Sequence, residues 1–330
     1  MKRHKCKPIL LLAIFLLTPS HLQAFKYGLG SCLDQRIEQE IWLAIEKKDL
    51  DGFIFLGDNI YGDHPNGKLI KMKKAYALQK NNLPKWLIAN KEILAIWDDH
   101  DYGVNDGGKD FPLKKEAETI FLDFWNVPKN DPRWQRDGIY FKTSKDIDGA
   151  EVEIIGLDTR YFRSQLRGKK NSYKPNKNSN ATVLGKDQWM WLESTIKNST
   201  ADIIIILSSI QILATNHPYE KWANFPLERA KLLNLISAAS KNKTVLAISG
   251  DRHRSGIYQN KNFTEITSSS LNKTASRNQE NDPLLVGDMY PEKNFGILNL
   301  EPMQKKITVS IHDQNGSELN TKVINMLHYQ

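Results

Sequence analysis

The chain has 330 residues, 25% of them charged and 40% hydrophobic, which suits one large globular domain and excludes a fibrous or low-complexity protein. Its net charge of +8 falls to +4 once the four basic residues among the first seven are set aside, so the basic balance is no nucleic-acid signal and no nucleic-acid-binding module is expected. Only Cys6 and Cys32 are present, so a chain that sheds its N-terminus has no internal disulfide.

Residues 1–24 have the layout of a secretory signal peptide: Lys2, Arg3, Lys5 and Lys7 without an acid, an apolar core over 8–17, then Leu22-Gln23-Ala24 before a cleavage point. An uncleaved N-terminal anchor is the competing reading. Export would make the protein secreted or periplasmic, with 25–330 as one domain and no membrane span after removal of the signal. A strand is predicted over 25–31, then a helix over 35–47 in which Ile37, Ile41, Trp42 and Ile45 recur at helical spacing. A buried strand from Phe53, a Lys-rich helix near 69–79, a strand from Ile93 and a helix near 113–124 follow. Next come strands over 139–142 and 152–157, a helix over 188–197, a strand over 203–207, a helix over 227–239 and a strand over 244–248. The basic stretch 163–177, interleaved with Gly, Asn, Ser and Pro, reads as a mobile solvated loop or as a cationic rim for anionic substrates. Beyond His253 only strands are predicted, over 256–258, 263–267, 295–300 and 307–312. Strand–helix alternation followed by a β-meander predicts two packed sheets flanked by helices.

Three acidic or histidine motifs stand where apolar runs end: Gly57-Asp58-Asn59-Ile60-Tyr61-Gly62-Asp63, Trp97-Asp98-Asp99-His100-Asp101, and Gly250-Asp251-Arg252-His253. Runs of that kind read as strands buried on both faces, and sites in open α/β sheets are built at strand ends. Asp58 could bond its own backbone in an Asx turn, or share its two oxygens between neighbouring cations. The Asp98–Asp101 cluster could cap a helix or, because adjacent anions repel, surround a cation. His100 beside those carboxylates would gain proton affinity and could act as a general acid. In an extended segment Asp251 and His253, two apart, would face one centre together. A carboxylate with an imidazole suits zinc, iron or manganese, whereas carboxylates alone suit calcium or magnesium. Cys32, a lone thiol in an exported chain, needs burial or a bound partner.

Gly30-Ser31-Cys32, Gly57-Asp58-Asn59-Ile60-Tyr61, Trp97-Asp98-Asp99-His100-Asp101, Leu157-Asp158-Thr159-Arg160, Phe225-Pro226-Leu227-Glu228-Arg229 and Ser249-Gly250-Asp251-Arg252-His253 occur in order. In that set the chain resembles the alkaline phosphatase D (PhoD-like) family of the calcineurin-like metallophosphoesterase superfamily. The resemblance implies an α/β fold, a four-layer α-β-β-α sandwich of two mixed sheets flanked by helices. It implies metal ions, Fe(3+) and Ca(2+), with Cys32, Asp58, Tyr61, Asp99, Asp251 and His253 as ligands. Asp58 would bridge, Tyr61 would supply a phenolate, and His100 would protonate the leaving group. Arg160, as a phosphate clamp or a structural ion pair, and Asn59 are the candidate substrate-binding residues. The superfamily's fourth motif, a histidine at a strand end, is missing from Ser208-Ser209-Ile210-Gln211, which leaves His217 as a candidate replacement.

The expected function is phosphomonoester or phosphodiester hydrolysis by a metal-activated hydroxide, with a phosphoester substrate and no obligate protein partner. A phospholipase-like phosphodiesterase on the same scaffold and a non-catalytic relative that binds metal or phosphate are the alternatives. A Cys-His hydrolase using Cys32 would leave the carboxylates unexplained.

Overall fold

The computed structural model describes residues 24–66, 68–275 and 280–327; all but the last residue of the expected signal segment lies outside them. Strand β1 (Phe25–Gly30) leads to helix α1 (Ile41–Glu46), β2 (Gly52–Leu56), α2 (Ile70–Asn82), α3 (Lys85–Asn90), β3 (Glu92–Ile96), the one-turn α4 (Asp99–Tyr102) and α5 (Lys114–Phe124). Then come β4 (Phe141–Ile147), β5 (Ala150–Gly156), the short pair β6 (Arg167–Lys169) and β7 (Ser172–Lys174), α6 (Gly185–Asn198), β8 (Ile203–Ser208), α7 (Pro226–Ala239) and β9 (Thr244–Ser249). The rest is β10 (Ser255–Asn260), β11 (Phe263–Thr267), β12 (Leu285–Tyr290), β13 (Asn294–Glu301), β14 (Lys306–Asp313) and β15 (Glu318–Asn325).

Two mixed sheets result, ordered β15-β14-β13-β1-β2-β3 and β12-β10-β11-β9-β8-β5-β4. Strands β1, β2 and β3 are parallel, as are β5, β8, β9 and β11, so in each sheet the parallel strands deliver their C-terminal ends to one edge. Alternation along β8 shows how the layers are held. Ile203, Ile205 and Leu207 join the core shared with the first sheet, while Ile204 and Ile206 pack with Trp189, Leu192 and Ile196 of α6 and Leu232 and Ile236 of α7. Burying each such side chain contributes about 1.5–3 kcal/mol. On the first sheet Phe53 meets Trp42 of α1 at 5.3 Å between ring centroids, and Phe55 meets Trp125, just past α5, at 4.7 Å. The outcome is the four-layer α-β-β-α sandwich.

Several element boundaries depart from expectation. The first helix begins only at Ile41, because Asp34 and Asn272 occupy the preceding backbone: Asp34 Oδ1 accepts from Arg36 N at 3.0 Å, and Asn272 Nδ2 donates to the carbonyls of Asp34 and Ile37. Ile37 consequently sits 38% exposed. The strand expected over 139–142 is β4, seven residues long, whose Lys and Asp residues suit an edge position and hide its pattern. The polar edge strand β15, β12 and the short α3 carry too little apolar periodicity to be seen. The basic stretch over 163–177 is not simply a solvated loop. It contains the β6–β7 pair, and Arg163 is 1% exposed with its Nε 2.7 Å from Glu220 Oε1.

Glu118 of α5 is also buried, at 1% exposure, with Lys115 Nζ 3.0 Å from its Oε2. Burial raises its carboxyl to about 7, with Lys115 opposing the shift. A carboxyl raised on folding binds its proton more tightly in the native state, so stability is lost as pH rises from the unfolded value to the folded one. We expect Glu118→Gln to gain about 2–3 kcal/mol on wild type between pH 4.5 and pH 8. Urea unfolding at both pH values reads this, and a pH-independent difference would refute the burial effect.

Candidate metal centre

The three motifs converge because their strands neighbour one another across the two sheets. Cys32 follows β1, Asp58 follows β2, Asp98 and Asp99 follow β3, and Asp251 and His253 follow β9. The backbone turns abruptly at these ends: Cys32, Asp58, Asp251 and His253 all have positive φ, between 51° and 64°. Such conformations cost non-glycine residues roughly 1–3 kcal/mol each and persist where surroundings over-determine them. The expectation that Asp251 and His253 share one extended segment is therefore corrected. Left-handed turns aim the two side chains, and they fall into different groupings.

Two glycines permit the approach. A Cβ on Gly57 would lie 2.5 Å from Asp98 Cβ, and one on Gly250 would lie 2.6 Å from the Leu56 carbonyl oxygen and 2.8 Å from Ser31 Oγ. Gly250 thus sets the distance between the end of β9 in one sheet and the ends of β1 and β2 in the other.

Among the described residues three groupings of ligand-type atoms form, each with its atoms within 4.8 Å of one another: Cys32, Asp58 and His253; Asp58, Asp98 and Asp251; Asp58, Asp99 and His100. Asp58 belongs to all three. In the first, Cys32 Sγ lies 3.5 Å from Asp58 Oδ2, and Tyr61 Oη lies 3.3 Å from Asp58 Oδ2 and 3.1 Å from His253 Nε2. Ser269 Oγ, 3.1 Å from the sulfur, supports Cys32 from behind.

Electrostatics fit a cation-binding site. Burial, then the neighbouring Cys32, Asp99 and Asp98, pushes Asp58 well above the usual carboxylate range. Asp251 is raised in the same direction by burial and by Asp98. Burial raises the Cys32 thiol and the Tyr61 phenol, and it holds His253 down at about 4, where the imidazole is neutral and able to ligate. Asp98 Oδ2, wholly buried, has no hydrogen-bond partner among the described residues. A cation would satisfy that atom and relieve the mutual repulsion of the carboxylates. Thiol, phenol and imidazole around Asp58 suit a transition metal, and the all-carboxylate grouping suits a harder ion.

Asp98 is the extended N-cap residue of α4, whereas Asp99, His100 and Asp101 lie on its single turn about 100° apart, so the acidic cluster divides its work. Asp98 belongs with Asp251, and Asp99 with His100. Asp101 turns inward, accepting from the N–H groups of Asp98 at 2.5 Å, Asn59 at 3.1 Å and Asp58 at 3.3 Å. His100 Nδ1 pairs with Asp63 at 2.7 Å. Burial pulls His100 down, but Asp99 and Asp63 outweigh it and raise it to about 9. Asp98, Asp101 and Asp63 were all visible in the quoted motifs, yet only Asp99 and His100 carried expected roles.

The two expected substrate contacts lie elsewhere. Arg160 is fully buried: its Nε lies 2.6 Å from Asp98 Oδ1 and its Nη1 2.5 Å from Glu220 Oε2, so it orients Asp98 and does not reach the cavity. Asn59, 1% exposed, ties β2 to β3 through Nδ2, which donates to Ile96 O at 2.9 Å and to Asp101. His217 pairs with Gln211 Oε1 at 3.0 Å and enters none of the ligand groupings. Where the missing histidine was sought, Ser209 Oγ donates to Asp98. A cavity of about 230 Å³ opens over the centre, walled by Asp99, His100, Asp251, Arg252 and His253.

Fold and site together define a metallophosphatase-like protein. The profile of the PhoD-like phosphatase family matches residues 75–312, and the chain belongs to that family. A curated relative, alkaline phosphatase D of Bacillus subtilis (strain 168), is 28% identical over 276 residues, and the match covers 69% of this chain. The chain spans about half that relative's length, 46%. The fold is similar to a solved structure of PhoD, with TM-score 0.70, 17% identity, and coverage of 93% of this chain and 72% of the other. It is also similar to GAP50, described as the anchor in the inner membrane complex of Plasmodium, with TM-score 0.63, 13% identity and coverage of 92% and 90%. Purple acid phosphatase PPD1 from yellow lupin (Lupinus luteus) seeds aligns with TM-score 0.59, 11% identity and coverage of 93% and 54%.

Gly250→Ala is expected to destabilise the fold by about 1–3 kcal/mol, the cost of overpacking, and to lower bound metal. Gly256→Ala, whose added Cβ would meet the tip of Leu285 at 3.0 Å, is the milder control. Thermal melting and elemental analysis read both variants, and equal behaviour would refute the role given to Gly250.

Proposed function

We propose that this protein is a secreted or periplasmic, metal-dependent phosphoesterase. The observation that carries the reading is Asp58, a buried carboxylate at the end of β2 that belongs to every ligand grouping. Cys32, Asp58, Tyr61 and His253 would hold a ferric ion, and Asp58, Asp98 and Asp251 a harder cation such as calcium, with Asp99 beside them. When bound, such ions acidify a water and neutralise charge on the phosphoryl oxygens. Membership of the PhoD-like phosphatase family supports this chemistry, and residues 1–24 support export.

The chain's own groups do the rest. His100, held at Nδ1 by Asp63 and drawn toward its protonated form by Asp99 and Asp63, keeps Nε2 for donation to the leaving oxygen. Arg160 and Ser209 fix Asp98, and Asp101 fixes the turn that carries Asp58. Cys32 stands with Asp58 and His253, as suits a ligand, and its full burial, which raises the thiol, argues against a free nucleophile. The three ligand groupings that share Asp58 favour catalysis over a degenerate, non-catalytic relative, with no histidine contributed from the fourth-motif position.

Asp58→Ala is expected to lower hydrolysis of p-nitrophenyl phosphate by at least about a thousandfold and to deplete bound metal. Turnover at the wild-type rate in that variant would sink the proposal. His100→Asn should slow an alkyl phosphate about 10²–10⁴-fold, the range for general acid catalysis, yet slow p-nitrophenyl phosphate far less, because that leaving group needs little protonation. Equal slowing of both esters would remove His100 from the acid role.

A further inference from the structure

With Arg160 consumed by Asp98 and Glu220, the cavity still needs a group that reads substrate charge. Arg252 stands between Asp251 and His253 and walls the cavity beside them. Its Nη2 makes two bonds to Glu280, 2.7 Å to Oε1 and 2.9 Å to Oε2, and its guanidinium lies 4.6 Å from the ring centroid of Tyr219. Carboxylate and ring together hold the guanidinium in place, which lowers the ordering cost of binding. Glu280 is shared, since Arg254 Nη1 also lies 3.5 Å from its Oε1. Arg252 is 5% exposed, yet its Nε finds no acceptor among the described residues. A buried charged donor without an acceptor is costly, and an anion in the cavity would remove that cost.

We infer that Arg252 holds a non-bridging oxygen of the substrate phosphoryl group and selects dianionic phosphomonoesters over diesters. The inference rests on the phosphoesterase reading. A monoester presents three non-bridging oxygens and two negative charges, whereas a diester presents two oxygens and one charge, so a fixed guanidinium gains more from the monoester. Guanidinium is matched to phosphate oxygens in charge and donor geometry. Arg254 and Lys170 also wall the cavity, but Arg254 reaches toward Met289 Sδ, at 3.5 Å, and Lys170 is tied to Asn105 Oδ1 at 2.8 Å.

The test compares wild type, Arg252→Gln and Arg252→Lys on p-nitrophenyl phosphate and bis(p-nitrophenyl) phosphate, with melting temperature and metal content measured for each. Arg252→Gln should raise KM for the monoester about 10–100-fold, the value of a charged hydrogen bond, while kcat changes by less than about tenfold and the diester KM by less than about threefold. Arg252→Lys should fall between. The inhibition constant of inorganic phosphate should rise in parallel with the monoester KM. An unchanged monoester KM, or equal changes for both esters, overturns the inference. If Arg252→Gln melts early or loses metal, Glu280→Gln reads the same idea, since it keeps the guanidinium and removes its anchor: a selective rise in monoester KM supports the role, and none refutes it. Should wild type hydrolyse neither ester, the phosphoesterase reading fails. Calorimetric titration of wild type and Arg252→Gln with inorganic phosphate then still decides whether Arg252 binds the anion.

Discussion

Asp58, Asp98, Asp99 and Asp251 cannot all carry charge at one buried sheet edge unless cations stand among them. Much of the surrounding structure accommodates that constraint. Arg160 answers one oxygen of Asp98 and leaves the other without a partner among the described residues, Asp106 N donates to Asp99 at 2.7 Å, and Asp101 gathers the backbone N–H groups of Asp58, Asn59 and Asp98. These supports fix each carboxylate without neutralising the set. What remains is negative charge concentrated around one shared ligand, which is how a site can bind cations tightly and keep them close together.

Backbone geometry is the second half of the device. Parallel strands present their ends side by side, but extended backbone would send successive side chains to opposite faces. Left-handed turns at Cys32, Asp58, Asp251 and His253 override that alternation and bring ligands from two different sheets to one point. The strain is held by the packing of the sheets, and Gly57 and Gly250 supply the close approaches that a side chain would block. The stiffness of the apolar strands is therefore part of the chemistry. Without β2 and β9 locked in their cores, four unfavourable backbone conformations would have nothing to hold them.

Much of this was legible in the amino-acid sequence. The strands that build the edge are long apolar runs, and their position follows from burial on both faces: Ile203 to Leu207 divides cleanly between two cores. Elements whose stability comes from neighbours, not from their own pattern, were not legible. The polar β15 gains its place from β14, and the segment before α1 is shaped by Asn272, far along the chain. Motifs read as one unit also proved divided. Phe225-Pro226-Leu227-Glu228-Arg229 belongs to the scaffold: Glu228 accepts from Thr182, Leu184 N and Trp189 Nε1, and Arg229 donates to the carbonyls of Ile212 and Leu213. Asp158 likewise accepts from Trp97 Nε1 and from the N–H groups of Ile139 and Tyr161.

Arginine gives the sharpest case of residue type failing to fix role. Arg160 and Arg252 both stand next to acidic residues at strand ends, and from sequence either could meet a phosphate. Their surroundings separate them. Arg160 is enclosed by two carboxylates, Asp98 and Glu220, so its charge is spent within the protein and its loss would leave Asp98 misplaced. Arg252 shares one carboxylate with a second arginine and faces the cavity, so part of its bonding capacity stays available to whatever enters. The partition follows from how many carboxylates flank each guanidinium and whether it walls the cavity, and it depends on Glu220 and Glu280, residues 60 and 28 positions away in the chain. A short motif can place an arginine at a site, but distant carboxylates decide whether it builds the site or reads the ligand.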